Sequence, residues 1–134
     1  MKYEATASSA IAFSENGVLE DWIHMFLNGV GNNMPFSEGL KRCERRYRGP
    51  EKAALNHFVR CGGPEEDKIW KSPADAWEMH VSEIAEAIKS GIEMPPLIIC
   101  TDNGELVIND GNNRHEAFSR LGIDEYWVIY WETA

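Results

Sequence analysis

The segment from Pro95 to Arg114 constrains the fold of this chain more than any other. Pro95-Pro96 leads into Leu97-Ile98-Ile99-Cys100, an apolar run of buried-strand length. Asp102-Asn103-Gly104 is a hairpin signal, because Asn-Gly tolerates the positive φ angles of a two-residue turn. Leu106-Val107-Ile108 reads as the return strand. Asp110-Gly111 then turns the chain into a helix with Ala117, Phe118 and Leu121 inward. The run from Tyr126 to Trp131 is β-branched and aromatic and reads as another strand. Upstream, Ser72-Pro73-Ala74-Asp75 has a hydroxyl N-cap, an early Pro and a first-turn carboxylate. Trp77, Val81, Ile84 and Ile88 recur at helical spacing, and Gly91 stops the helix. The expectation is strands over 97–100, 105–109 and 126–131 in one sheet, with helices over 73–90 and 113–121 against it. Ile69-Trp70 is expected as a short strand.

The first half reads as helical. Asn16 is placed to cap a helix from Gly17 to Asn28, with Leu19, Trp22, Ile23, Phe26 and Leu27 inward. A second helix is expected over Ser37–Tyr47, with Leu40, Cys43 and Tyr47 inward. Pro50 suits the start of a third, burying Leu55, Phe58 and Val59. Glu65-Glu66-Asp67-Lys68 marks a boundary. The expected organisation is therefore α+β: a helical region over 1–67 packed on a small mixed sheet with flanking helices over 68–134.

The 134 residues correspond to one domain at roughly 100–200 residues each. No run approaches the ~20 apolar residues of a membrane span, and Met1 to Phe13 does not read as a secretory leader. Residues 1–67 hold 8 basic and 10 acidic residues, and residues 68–134 hold 5 and 12. A duplex-binding surface needs clustered Lys and Arg, which the second half lacks, so nucleic acid is a poor partner. Cys43, Cys61 and Cys100 are odd in number and widely spaced, which fits reduced thiols and a cytoplasmic setting. Neither CxxC nor a zinc-spaced His/Cys cluster is present.

Asp110-Gly111-Asn112-Asn113-Arg114 is the chemically suggestive unit. A helix N-terminus offers unpaired N–H groups and about half a positive charge. Gly111 lets a ligand approach the backbone, and Arg114 adds a planar cation suited to phosphate oxygens. Together they describe an anion site, most naturally for phosphate. Asp110 could bind a metal or act as a base toward a hydroxyl. The same residues also describe a plain Asp-Gly turn with Asn113 and Glu116 as a capping box.

The stretch MPPLIICTDNGELVINDGNNRHEAFSRLGIDEYWVIYW resembles the ParB/sulfiredoxin-like family, with Gly91, Pro95, Pro96, Asp110, Gly111, Arg114, Ala117, Leu121 and Gly122 in the family's order. The likeness covers about residues 68–132. It implies a nucleotide-phosphate loop: sulfiredoxins bind ATP, ParB proteins bind CTP, and related free-serine kinases use an Asp-Gly-His-His-Arg loop. Carried over, Gly111, Asn112, Asn113 and Arg114 would cradle the phosphates of ATP, ADP or CTP with magnesium. Asp110 would take the acid/base or metal-facing position. Asn112 stands where sulfiredoxins have their cysteine, and Asn113 where His or Arg usually precedes the arginine. No helix-turn-helix follows.

Two functions are carried forward. One is a phosphate- or nucleotide-binding protein, with phosphotransferase or NTPase activity in view and Asp110 as its catalytic candidate. The other is a non-catalytic regulatory or protein-interaction module that keeps the loop as structure. Nuclease activity would need clustered carboxylates, and Asp110 stands nearly alone. No metal site is expected: His115-Glu116 begins an HExxH motif, but position 119 is Ser. Lys41, Arg42, Arg45, Arg46 and Arg48 crowd five cations into eight positions, either as a patch for an acidic partner or as a solvated face paired with Glu38 and Glu44. Trp127 and Trp131 read as core packing ahead of base stacking.

Overall fold

The computed structural model describes residues 1–134. Helix α1 (Ala7–Glu15) is N-capped by Thr6, whose hydroxyl accepts from Ser9 N at 3.1 Å. Helix α2 (Leu19–Asn28) buries Leu19, Trp22, Ile23, Phe26 and Leu27, the stripe its sequence predicts. Asn16 ends α1 and does not cap α2. Helix α3 (Met34–Leu40) is short, with Pro35 in its first turn.

The chain then departs from expectation. Strand β1 (Arg45–Ala54) occupies the span read as the end of one helix and the start of another. It pairs antiparallel with β7 (Glu125–Thr133) from Arg45↔Thr133 to Ala54↔Glu125. The register shifts between Arg48 and Glu51, and Pro50 lies in that irregularity on an edge strand, one of the few sheet positions that tolerate a missing N–H. Tyr47 packs on the helical layer, while Cys43, expected inward, is exposed. A single 3-10 turn (Leu55–His57) and strand β2 (Phe58–Arg60) replace the expected third helix. Leu55 and Phe58 are buried as expected, but Val59 is exposed. Strands β3 (Gly62–Gly63) and β4 (Trp70–Lys71) form a separate parallel pair.

The second half follows its sequence closely: helix α4 (Ala74–Lys89), strands β5 (Leu97–Asp102) and β6 (Glu105–Asp110), helix α5 (Asn112–Arg120), then β7. Asn103 and Gly104 both take positive φ, 50° and 79°, as the hairpin requires. The predicted caps fail locally. Pro73, not Ser72, sits at the N-cap of α4, and Gly111, not Asn113, at that of α5; neither helix has a side-chain cap.

The main sheet runs β1-β7-β5-β6-β2 and is mixed: β7 and β5 are parallel, as are β6 and β2, and the other pairs are antiparallel. Ile98 and Ile129 are partners in register and pack under α1, α2 and α3. Their neighbours Leu97 and Val128, also partners, face the opposite side with Ile99, Ile108 and Phe118. Central strands covered on both faces explain the unbroken apolar run at 97–99. Trp77 and Val81 of α4 pack on Ala117 of α5. The result is a sheet between two helical layers, with strands from either side of residue 67.

Candidate functional site

Strand β6 ends at Asp110, and Gly111 (φ 109°, ψ 19°) turns the chain directly into α5. A Cβ at this glycine would collide with Leu97 Cδ2 and stand 2.9 Å from Arg114 Nη2, so the turn depends on glycine for both conformation and space. His115 N makes the first helical bond, to Gly111 O at 2.9 Å. The N–H groups of Asn112, Asn113 and Arg114 therefore have no protein acceptor, and no side chain caps them.

The loop's charged pair closes on itself. Arg114 Nη2 lies 3.3 Å from Asp110 Oδ2 and donates to Pro96 O at 2.9 Å, while its guanidinium covers the Phe26 ring at 5.5 Å. Asp110 Oδ1 accepts from Asn33 Nδ2 at 3.3 Å. Arg114 thus ties α5 to the start of β5 and to the N-terminal helical layer. It does not line the adjacent cleft.

Asn112 reaches the other way. Its Oδ1 accepts from Cys61 N at 3.0 Å and Gly62 N at 3.2 Å. A Cβ on Gly62 would stand 3.3 Å from Asn112 Nδ2, so the close approach of the two segments relies on that glycine. The Cys61 thiol donates to Ile108 O at 2.9 Å, and burial pushes its pKa up, which disfavours the nucleophilic thiolate. His115 Nε2 donates to Leu55 O at 2.8 Å, a structural use that leaves the incomplete HExxH without a ligand role.

These elements surround a cleft of about 690 Å³. Asn109 to Asn113 form one wall, Asn33, Pro35 and Phe36 another, and Gly62, Trp70, Ser72 and Trp77 a third. The structure thus brings Asp110, Gly111, Asn112 and Asn113 to one cleft and turns Arg114 inward beneath it. The carboxamide of Asn113 makes no hydrogen bond to the protein, whereas Asn109 accepts from Trp131 Nε1 at 2.9 Å. Asp110 is the one carboxylate of the lining, and no Lys or Arg lines it. Nowhere do three or more His, Cys, Asp or Glu side chains converge as a metal site. The sequence reading missed Asn33, Trp70 and the Asn112–Gly62 link; the Gly31-Asn32-Asn33 turn was the available signal for the first.

The basic stretch lies apart from this cleft, around and on β1. Arg46 pairs with Glu132 at 3.5 Å, Arg48 with Glu51 at 2.5 Å and Lys41 with Glu38 at 3.8 Å. Arg45 donates to Leu40 O and Gly39 O and covers Trp131 at 5.1 Å. Most of these cations are locally compensated. Trp131 packs against Phe36 at 6.1 Å, in keeping with a core role.

No protein-family model matches the chain, and neither does any curated protein. Among solved structures, the C2221 form of a Pnob8-like ParB-N domain is similar at 14% identity and a TM-score of 0.43. That match covers 66% of this chain and 30% of the other. Sulfiredoxin from Arabidopsis thaliana is similar at 18% identity and a TM-score of 0.41, over 60% of this chain and 79% of the other. The chemistry of the cleft rests on its own geometry. No helix is long and apolar enough to cross a membrane.

Proposed function

We propose that this chain binds a phosphate-bearing small molecule, by class a nucleotide, at the N-terminus of α5. The observation that carries this reading is the uncapped start of that helix beside the cleft: three backbone N–H groups without acceptors, next to residues that line a 690 Å³ space. Such a terminus favours an anion through its N–H groups and its dipole, and the volume suits a small ligand, whose sites run to about 300–1,000 Å³. In this reading the Asn112 and Asn113 amides and the Asn113 carboxamide hold phosphate oxygens. Gly111 keeps the approach open. Arg114 positions the loop from beneath.

ATP, ADP and CTP with magnesium are the ligands to test. Magnesium commonly takes only one or two carboxylates plus substrate phosphates, and Asp110 is the one carboxylate that lines the cleft. The same carboxylate is the acid/base candidate for a phosphotransferase or NTPase. Thermal melting with each nucleotide, with and without magnesium, tests the binding. A ligand held only by the folded state at about 100 times its Kd adds ~2.7 kcal/mol of stability and raises Tm. No rise with any of them removes the reading.

The second reading, a non-catalytic regulatory or protein-interaction module, draws on the Asp110 contacts. Both oxygens already face internal partners, Arg114 and Asn33. Asp110→Asn separates the two. A catalytic Asp110 makes the variant bind nucleotide without turnover; a structural one makes the loss appear in stability alone.

A further inference from the structure

Three aromatic residues line the cleft, and only one has an uncovered ring. Trp77 is 4% exposed and lies beneath the Arg60 guanidinium at 4.8 Å. Phe36 packs on Trp131. Trp70 is 71% exposed, and neither an aromatic ring nor a cation packs on it.

The position of Trp70 is nevertheless fixed. Its N–H donates to Cys61 O at 2.9 Å, and it pairs with Gly62 in the β3–β4 ladder. Gly62 N in turn donates to Asn112 Oδ1, in the first turn of α5. The Trp70 backbone is therefore held in register with the helix terminus proposed to take phosphate, and both line the same cleft. In the same lining the Asn33 carboxamide oxygen and the Ser72 hydroxyl make no hydrogen bond to the protein and can meet the polar edge of a flat ring.

We propose that Trp70 is the platform on which a nucleobase stacks, so that the cleft selects nucleotides over inorganic or sugar phosphates. The proposal rests on the phosphate reading of α5 and adds the part of the ligand that the helix terminus does not recognise. Stacking on an aromatic face tolerates every base, so Trp70 selects the class and leaves the choice among bases to the cleft's polar groups.

Calorimetric titration of the full chain with ATP, CTP and inorganic tripolyphosphate, in wild type, Trp70→Ala and Trp70→Phe, tests it. The expected result is nucleotide binding at least about tenfold weaker in Trp70→Ala and within about threefold of wild type in Trp70→Phe, with tripolyphosphate unchanged throughout. Thermal melting checks that both variants stay folded, as substitution at an exposed site should allow. Nucleotide binding unaltered in Trp70→Ala, or equal losses for nucleotide and tripolyphosphate, overturns the assignment of Trp70 alone. Binding of neither ligand class to wild type overturns the phosphate reading and this proposal with it.

Discussion

Arg114 Nη2 lies 3.3 Å from Asp110 Oδ2, and the two side chains, four residues apart, are only 12% and 10% exposed. The Asp-Gly-x-x-Arg spacing thus closes a loop on itself before any ligand arrives. Removing one member of a buried pair leaves the other's charge uncompensated, at a cost of about 3–5 kcal/mol. Arg114→Ala and Asp110→Ala are each expected to lower stability on the order of 3 kcal/mol. The double variant should fall short of the sum, because each single change already breaks the same contact. Urea unfolding of all four proteins measures the coupling; strict additivity would show that the pair contributes nothing.

Gly111→Ala is expected to be the most damaging small substitution in the loop. Its φ of 109° disfavours any L side chain, and the new Cβ collides with Leu97. Strain of about 1–3 kcal/mol adds to overpacking of similar size. Gly104→Ala, also at positive φ (79°) but with open space around it, is the control and should cost less. Equal losses of Tm would mean that the crowding at Gly111 is relieved by Leu97 moving.

The second half was legible because its signals are local and agree. The 97–100 run, the Asn103-Gly104 turn and the spacing of Trp77 and Val81 each specify the element they form. The region 45–54 was not legible, for a physical reason. Arg45 to Ala54 has no apolar alternation, and Tyr47 is as compatible with a helical stripe as with a strand face. Its state is set by the β7 backbone that pairs with it, which no local propensity encodes. The loop residues were likewise readable, but not the direction of Arg114, which Phe26 and Pro96 determine. Asn33 reaches Asp110 from 77 positions away, beyond any motif.

Asn112 is expected to act as a clamp. Asn112→Ala leaves the Cys61 and Gly62 N–H groups without their acceptor, costing about 1–3 kcal/mol if they stay dry. The loosened β3 segment should then expose the Cys61 thiol, which is buried in the native chain. Alkylation followed by mass spectrometry reads this site by site. In wild type, exposed Cys43 reacts first and Cys61 slowest; in Asn112→Ala the Cys61 rate rises while that of Cys43 stays. An unchanged Cys61 rate would mean that Ile108 O and the surrounding core hold the segment alone.

His24 gives the fold a pH dependence of definite sign. Its Nδ1 lies 2.7 Å from Ser37 Oγ, and its Nε2 is buried without a hydrogen-bond partner, 3.9 Å from Glu20. Burial lowers its pKa below the ordinary 6.5, with Lys41 adding to the effect and Glu20, Asp21 and Glu38 opposing it. The unfolded chain therefore takes up the proton at higher pH than the folded one. The stabilisation is complete above pH 6.5 and is lost as pH falls from there through the folded value. Glu65 and Glu78, lowered by their bonds to Arg60 and Arg120, act only below the ordinary Glu value of 4.5 and leave the window above 5 to His24. Urea midpoints taken between pH 7.5 and 5.5 should fall for wild type, and fall less for His24→Gln. Parallel slopes for the two proteins would mean that His24 does not carry the dependence.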